Sequence, residues 1–347
     1  MNTSLLRKSF LAAVVASSVA CSAGAWASAP PIPSSTLSSL SSADKTQLKA
    51  YVQYWMARLQ TTKSPTTMLH AANRILKPLK NAAEPASAVF SYDYGSIINN
   101  AMSPLLSHPK KALVAAVTLG RVNDLSTQSS LETALESSNP AVRYWGAVGL
   151  LRILPQLESI PPAYQEAQNH LTRALKVETS PLVAAKLADA LSQFTPVGPG
   201  AFSNVTRCLG VQAKLFHLRP PTTVAQAGML ADSLVAVINA QAHPTAKEKV
   251  VAASALTDLL SLTCQYWAAK KLGRTQSKMA ASAMTKFANA LNIVTGTTDF
   301  TIGGLSDTSN ADATLLTVNE LTGSQGQAGT IQKIFPGVPI PPRIAIH

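Results

Sequence analysis

Three prolines that open one recurring apolar pattern constrain this chain more than any other feature. Counting from Pro109, Pro140 and Pro181, alanine stands seven residues on, at Ala116, Ala147 and Ala188. Leucine stands ten on, at Leu119, Leu150 and Leu191, and a larger apolar residue thirteen on, at Val122, Ile153 and Phe194. Steps of three hold side chains on one face of an α-helix. Proline fits the first turn, where its missing N–H has no partner to lose. The prolines lie 31 and 41 residues apart, the length of a helix pair. The pattern predicts an all-α fold of stacked helical hairpins. The three alanines and three leucines are its packing positions between neighbouring helices.

Composition bears on how such helices would pack. Only 13% of residues are charged, about half the usual share, and aromatics are 5%. Cohesion must come from Ala, Leu and Val in many short contacts, with small side chains letting helices approach closely. Punctuation divides the chain. Asp44 is placed to cap a helix over 45–60, Pro65 opens another, and Pro78 should stop or kink it. Residues 81–95 read as loop, and 97–106 return to helix. Further helices are expected from Lys110, Thr127, Pro140, Ala163 and Pro181. The run Thr195-Pro196-Val197-Gly198-Pro199-Gly200 marks a boundary between N-terminal helical repeats, 44–197, and C-terminal helices, 198–295. The latter are expected near 201–216, 223–241, 245–271 and 276–294. Residues 296–347 are a Gly/Thr/Pro-rich irregular tail, with a short helix near 311–321 and an extended end.

The N-terminus sets the expected compartment. Arg7 and Lys8 precede an apolar run from Phe10 to Ala20, and Ala25-Trp26-Ala27 supplies small residues at a cleavage site. Residues 1–27 therefore read as a secretory signal, and the protein as periplasmic or secreted. A competing reading is lipidation at Cys21, which follows Ser18-Val19-Ala20. Residues 28–43, with Pro30, Pro31, Pro33 and a serine-rich stretch, have too little apolar surface to offset ordering entropy and read as a disordered linker. No later apolar run is long enough to span a bilayer.

The segment Asn139-Pro140-Ala141-Val142-Arg143, followed by Ala147 and Leu150, resembles the second-helix opening of HEAT-type repeats. The resemblance covers about 108–195 and implies an α-solenoid that serves as a binding scaffold. It also implies that Arg143 bonds to a nearby loop. Ala112 and Ala184 stand at the corresponding places of the flanking repeats, so the arginine does not recur.

Motifs for chemistry are absent. There is no G-x-S-x-G, H-E-x-x-H, C-x-x-C or phosphate-binding loop. His70, His108, His170, His217, His243 and His347 lack metal-ligand spacing from one another. Asp299, Asp307, Asn310 and Asp312 form the densest acidic cluster, but their spacing does not match a calcium loop. No cofactor is expected. Cys208 and Cys264 are the cysteines left after the signal, and in an oxidising compartment a disulfide between them is the favoured reading over two buried thiols. The net charge of +12 concentrates early, at Lys45, Lys49, Arg58, Lys63, Arg74, Lys77 and Lys80, with pairs at Lys110-Lys111 and Lys270-Lys271. In an exported protein the fitting partner is a protein or an acidic envelope component, a glycan or an anionic lipid surface, rather than nucleic acid. The expected function is an exported scaffold without catalysis. The alternatives are an enzyme with an unrecognised cleft, or a lipid-anchored envelope structural protein.

Overall fold

The computed structural model describes residues 29–32, 40–80, 87–218, 221–240, 242–303, 305 and 310–344. The signal, its cleavage site, Cys21, Asp307, His347 and half of the 28–43 segment lie outside the described residues. Within these bounds the fold is all-α. Helices α1 (Ser42–Thr61), α2 (Pro65–Ile75), α3 (Lys77–Lys80), α4 (Ala88–Met102) and α5 (Ala112–Val122) come first. There follow α6 (Gln128–Leu135), α7 (Pro140–Leu157), α8 (Pro161–Val177), α9 (Pro181–Ser192) and α10 (Ala201–Leu218). The chain continues through α11 (Val224–Asn239), α12 (Ala246–Ala268), α13 (Arg274–Thr295), α14 (Ala311–Thr322) and α15 (Thr330–Ile334). Extended pairing among the described residues is limited to one antiparallel bridge, Ser324 with Gln327. No helix among the described residues is long and apolar enough to cross a membrane.

Local chemistry explains the helix starts. Pro65, Pro140, Pro161 and Pro181 each occupy a first helical turn. Asp44 does not cap α1. Ser41 does, and its hydroxyl accepts from the Asp44 N–H at 3.1 Å while the Asp44 carboxylate accepts from the Ser41 N–H at 3.0 Å. Thr245 and Glu248 make the same reciprocal pair at the start of α12, which runs unbroken. Pro109 departs from the pattern. It sits in a turn whose Lys111 and Ala112 N–H groups both donate to the His108 carbonyl, so α5 begins two residues later than expected.

Residues from Ala88 onward are helix, not loop. Phe90, Tyr94, Ile98 and Met102 recur every four residues and are fully buried, and the Tyr94 hydroxyl donates to the Ile75 carbonyl at 2.7 Å. The interleaved Tyr92, Asp93 and Gly95 hide that stripe in the sequence. Within the expected linker, Ala29 and Ile32 rest against the core and the Gln47 amide donates to the Pro31 carbonyl at 3.0 Å.

Helix contacts follow a simple rule from α5 onward. The odd-numbered helices α5, α7, α9, α11 and α13 pack each on the next. The even-numbered helices α6, α8, α10, α12 and α14 do the same. The pairs α6–α7, α8–α9, α10–α11 and α12–α13 tie one row to the other. Ala116, Ala147 and Ala188, with Leu119, Leu150 and Leu191, are completely buried in the odd row. Helices α5 and α7 approach closely at Gly120 and Gly149. A Cβ on Gly149 would lie 3.0 Å from the Gly120 Cα and 2.4 Å from Leu131 Cδ2.

The tail folds back along α12. The Asn292 side chain accepts from the Phe300 N–H at 2.9 Å and donates to its carbonyl at 3.0 Å, and Phe300 is buried. The Gln265 amide of α12 donates to the Pro342 carbonyl and accepts from the Ile344 N–H at 3.0 Å. Ile331 and Val338 are buried, and α14 packs on α12. Asp312 occupies the first turn of α14, where a carboxylate favours the helix dipole, and Asp299 is exposed.

Candidate functional site

A groove of about 960 Å³ lies between the α1–α2 connection, α2, α5 and Trp145 of α7. Its floor is apolar. Met68, Val114 and Val117 line it, and Leu69 and Leu113 stay 43% and 40% exposed. Both leucines stand one place off the buried stripes of their helices, Met68–Ala72–Ile75 and Ala112–Ala116–Leu119, so packing leaves them facing out. The rim is basic. Lys63, Lys110, Lys111 and Arg121 line the groove with His108, and among the described residues no carboxylate does.

Two of these cations are held in place. The Lys111 ammonium donates to the Gln60 carbonyl at 2.6 Å, at the negative end of α1. The Arg121 guanidinium lies 5.4 Å from the Trp145 ring centroid and donates to Asn73 Oδ1 at 3.3 Å. Lys63 and Lys110 are exposed. The basic residues of the early sequence are thus divided. Lys45 is paired with Asp93 at 2.9 Å, and Arg58 stacks on Tyr54 and Trp55. Lys63 joins Lys110 and Lys111 across the groove although about 47 residues separate them.

Arg143 makes the most elaborate side-chain contact in the row. It reaches across to Glu178, between α8 and α9, with Nε and Nη2 on separate carboxylate oxygens at 2.7 and 2.8 Å. Its Nη1 donates to the Ser137 and Ser138 carbonyls of the α6–α7 turn at 2.8 and 3.1 Å. Glu178 also accepts from the Thr179 and Ser180 N–H groups. From the other side, Arg207 of α10 donates to the Leu175 and Glu178 carbonyls. Sequence reading missed Glu178 and Arg207, because the three residues belong to different hairpins.

Cys208 and Cys264 are free and buried, so the expected disulfide is a wrong reading. The Cys208 sulfur faces the Leu175 carbonyl and the Arg207 guanidinium, at the α8 end. Being on neighbouring helices does not bring two thiols together, because each helix turns its sulfur to its own surroundings. Burial pushes the Cys208 thiol up to about 11, against a smaller opposing pull from Arg207, and pushes Cys264 up to about 12. Only a thiolate reacts, so both should resist alkylation at pH 8 in the native protein. In a Cys21→Ser background, unfolding without reductant should then release both thiols to Ellman's reagent. Recovery of neither would restore the disulfide.

No protein-family model matches the chain, and no curated protein sequence resembles it significantly.

Proposed function

We propose that the protein is an exported α-solenoid of the HEAT-like kind, a scaffold that holds an acidic, partly apolar peptide segment of a partner protein in the α2–α5 groove. The observation that carries this is the combination of exposed leucines on the floor with four cations and, among the described residues, no carboxylate around them. An apolar floor contributes affinity through buried area, and a rim of one sign selects a partner of the other. Two rows of packed helices support the solenoid reading, since such stacks present elongated binding surfaces. The charge pattern Arg7-Lys8, the apolar run and Ala25-Trp26-Ala27 support export.

The test is fluorescence anisotropy with a synthetic Leu/Glu-rich amphipathic peptide. Leu113→Asp and the double reversal Lys63→Glu/Lys110→Glu should each weaken binding at least tenfold. Added salt should weaken it in the parent, because exposed charges are screened beyond about 10 Å at 0.1 M. Peptide binding indifferent to both changes would overturn the proposal. So would groove-dependent binding to phosphatidylglycerol vesicles with none to the peptide, which would make the occupant a lipid surface.

A further inference from the structure

On the opposite row, α6 and α8 bring three metal-ligating side chains together. Glu166 and His170 stand four residues apart on α8, so they share one face of the helix. Glu132 approaches from α6. One donor atom from each of the three lies within 4.8 Å of the others. We propose that Glu132, Glu166 and His170 form a binding site for a divalent transition-metal ion of the zinc class.

The surroundings of Glu132 carry the argument beyond proximity. Its side chain is only 7% exposed, yet among the described residues just one of its two oxygens is hydrogen-bonded. Gln128 Nε2 donates to Oε1 at 2.8 Å, and the same nitrogen donates to the Ala163 carbonyl of α8 at 3.0 Å. Gln128 therefore fixes the carboxylate and ties it to the partner helix. Oε2 is left aimed at His170 Nε2 across 3.9 Å, too far for a hydrogen bond. The other ring nitrogen, Nδ1, faces Glu136 Oε1 at 3.9 Å. An amide holding a ligating carboxylate is the kind of supporting contact metal sites use, whereas Glu136 at this distance adds negative charge without a hydrogen bond.

The charge balance also favours a cation. Glu132, Glu136 and Glu166 stand around His170. A bound divalent ion would supply these carboxylates with a counter-charge. Donors around zinc at about 2.0–2.2 Å are separated by roughly 3.3–3.6 Å, so modest side-chain rotation closes the cluster. One imidazole with two carboxylates suits zinc-class ions better than calcium or magnesium, which take oxygen ligands. Three protein ligands leave a coordination position for water on the side of an open cavity of about 600 Å³, lined by Gln165, Asn169 and Arg173 among others.

The test is isothermal titration of the chelator-stripped full chain with zinc chloride. A binding step is expected that is lost in His170→Ala and in Glu166→Gln, an exposed position where folding is not at risk. Glu136→Gln, which removes only a nearby negative charge, should weaken it far less than either ligand variant. His217→Ala should leave it unchanged. Cobalt in place of zinc should give a visible d–d spectrum that Glu132→Gln alters. Affinity should fall on acidification, since ligands must be deprotonated to bind. Absence of a zinc-binding step in the parent overturns the proposal. So does a step of equal affinity in Glu166→Gln and His170→Ala.

Discussion

Replacing Arg143 with methionine should cost about 3–5 kcal/mol of folding stability, read from urea denaturation at pH 7. The side chain closes four hydrogen bonds, two to the Glu178 carboxylate and two to the α6–α7 turn carbonyls. Methionine keeps the length of the stem and removes all of them. Glu178, whose side chain is 1% exposed, would keep its Thr179 and Ser180 N–H donors but lose the Arg143 counter-charge. Breaking one partner of such a pair is expensive, whereas replacing both with apolar residues is often close to neutral. The double variant Arg143→Met/Glu178→Leu should therefore recover much of the loss. Arg143→Lys should fall between, because an ammonium cannot span both carboxylate oxygens.

The pH dependence follows from Glu178. Burial on its own raises its pKa, but the Arg143 hydrogen bond, the Ser180 and Thr179 N–H groups and the Arg143 charge together hold it below the ordinary carboxylate value. The folded state then binds a proton less readily than the unfolded chain, so stability rises with pH in that window. The contribution is complete above the unfolded glutamate value of about 4.3 and is lost as pH falls through the lowered folded one. The gap between parent and Arg143→Met should accordingly be wide at pH 7 and narrow in acid. A loss under about 1 kcal/mol at pH 7, the range of exposed pairs, would show that the bridge contributes little.

Gly149→Val should cost about 3 kcal/mol, the upper part of the overpacking range. Helix propensity argues the other way, since glycine inside a helix is destabilising by roughly 0.5–1 kcal/mol relative to alanine. Packing decides the sign. A Cβ at Gly149 meets Leu131 Cδ2 at 2.4 Å and the Gly120 Cα at 3.0 Å. A leucine tip can rotate away, but the Gly120 contact is backbone, so α5 and α7 must separate. Gly210 of α10 provides the control, with no heavy atom within 4 Å of its would-be Cβ. Gly210→Ala should stabilise by about 0.5–1 kcal/mol, because only propensity acts there. Equal melting of Gly149→Val and the parent would mean that the close approach is not maintained in solution.

The helices and their buried faces were legible because both arise within a few residues. A stripe repeating every three to four positions needs one helix to define it, and Ala147, Leu150 and Ile153 therefore carry their burial in their spacing. Where that local signal was diluted, the reading slipped. The stripe of α4 runs through Phe90, Tyr94, Ile98 and Met102 but is crossed by polar residues and Gly95, and it read as loop up to residue 95. Pro109 shares the spacing of Pro140 and Pro181, yet the chain leaving the turn at Ser103–Ser107 bends through it before helix resumes.

What the tertiary structure alone decided is every relation between residues far apart in the chain. Lys63 faces Lys110 across a groove because α2 lies beside α5. Glu178 receives Arg143, 35 residues before it, because loops at the same end of neighbouring hairpins meet. The Glu166–His170 spacing is visible in the sequence, but Glu132 completes the cluster only through the α6–α8 contact. Cys208 and Cys264 lie on helices that touch and still do not pair, since a thiol's direction depends on the rotation of its helix about its own axis. Periodicity determines which face of a helix is buried. Which neighbour that face meets, and at what rotation, is set by packing across the whole stack, where the free energy depends on shapes no local window contains.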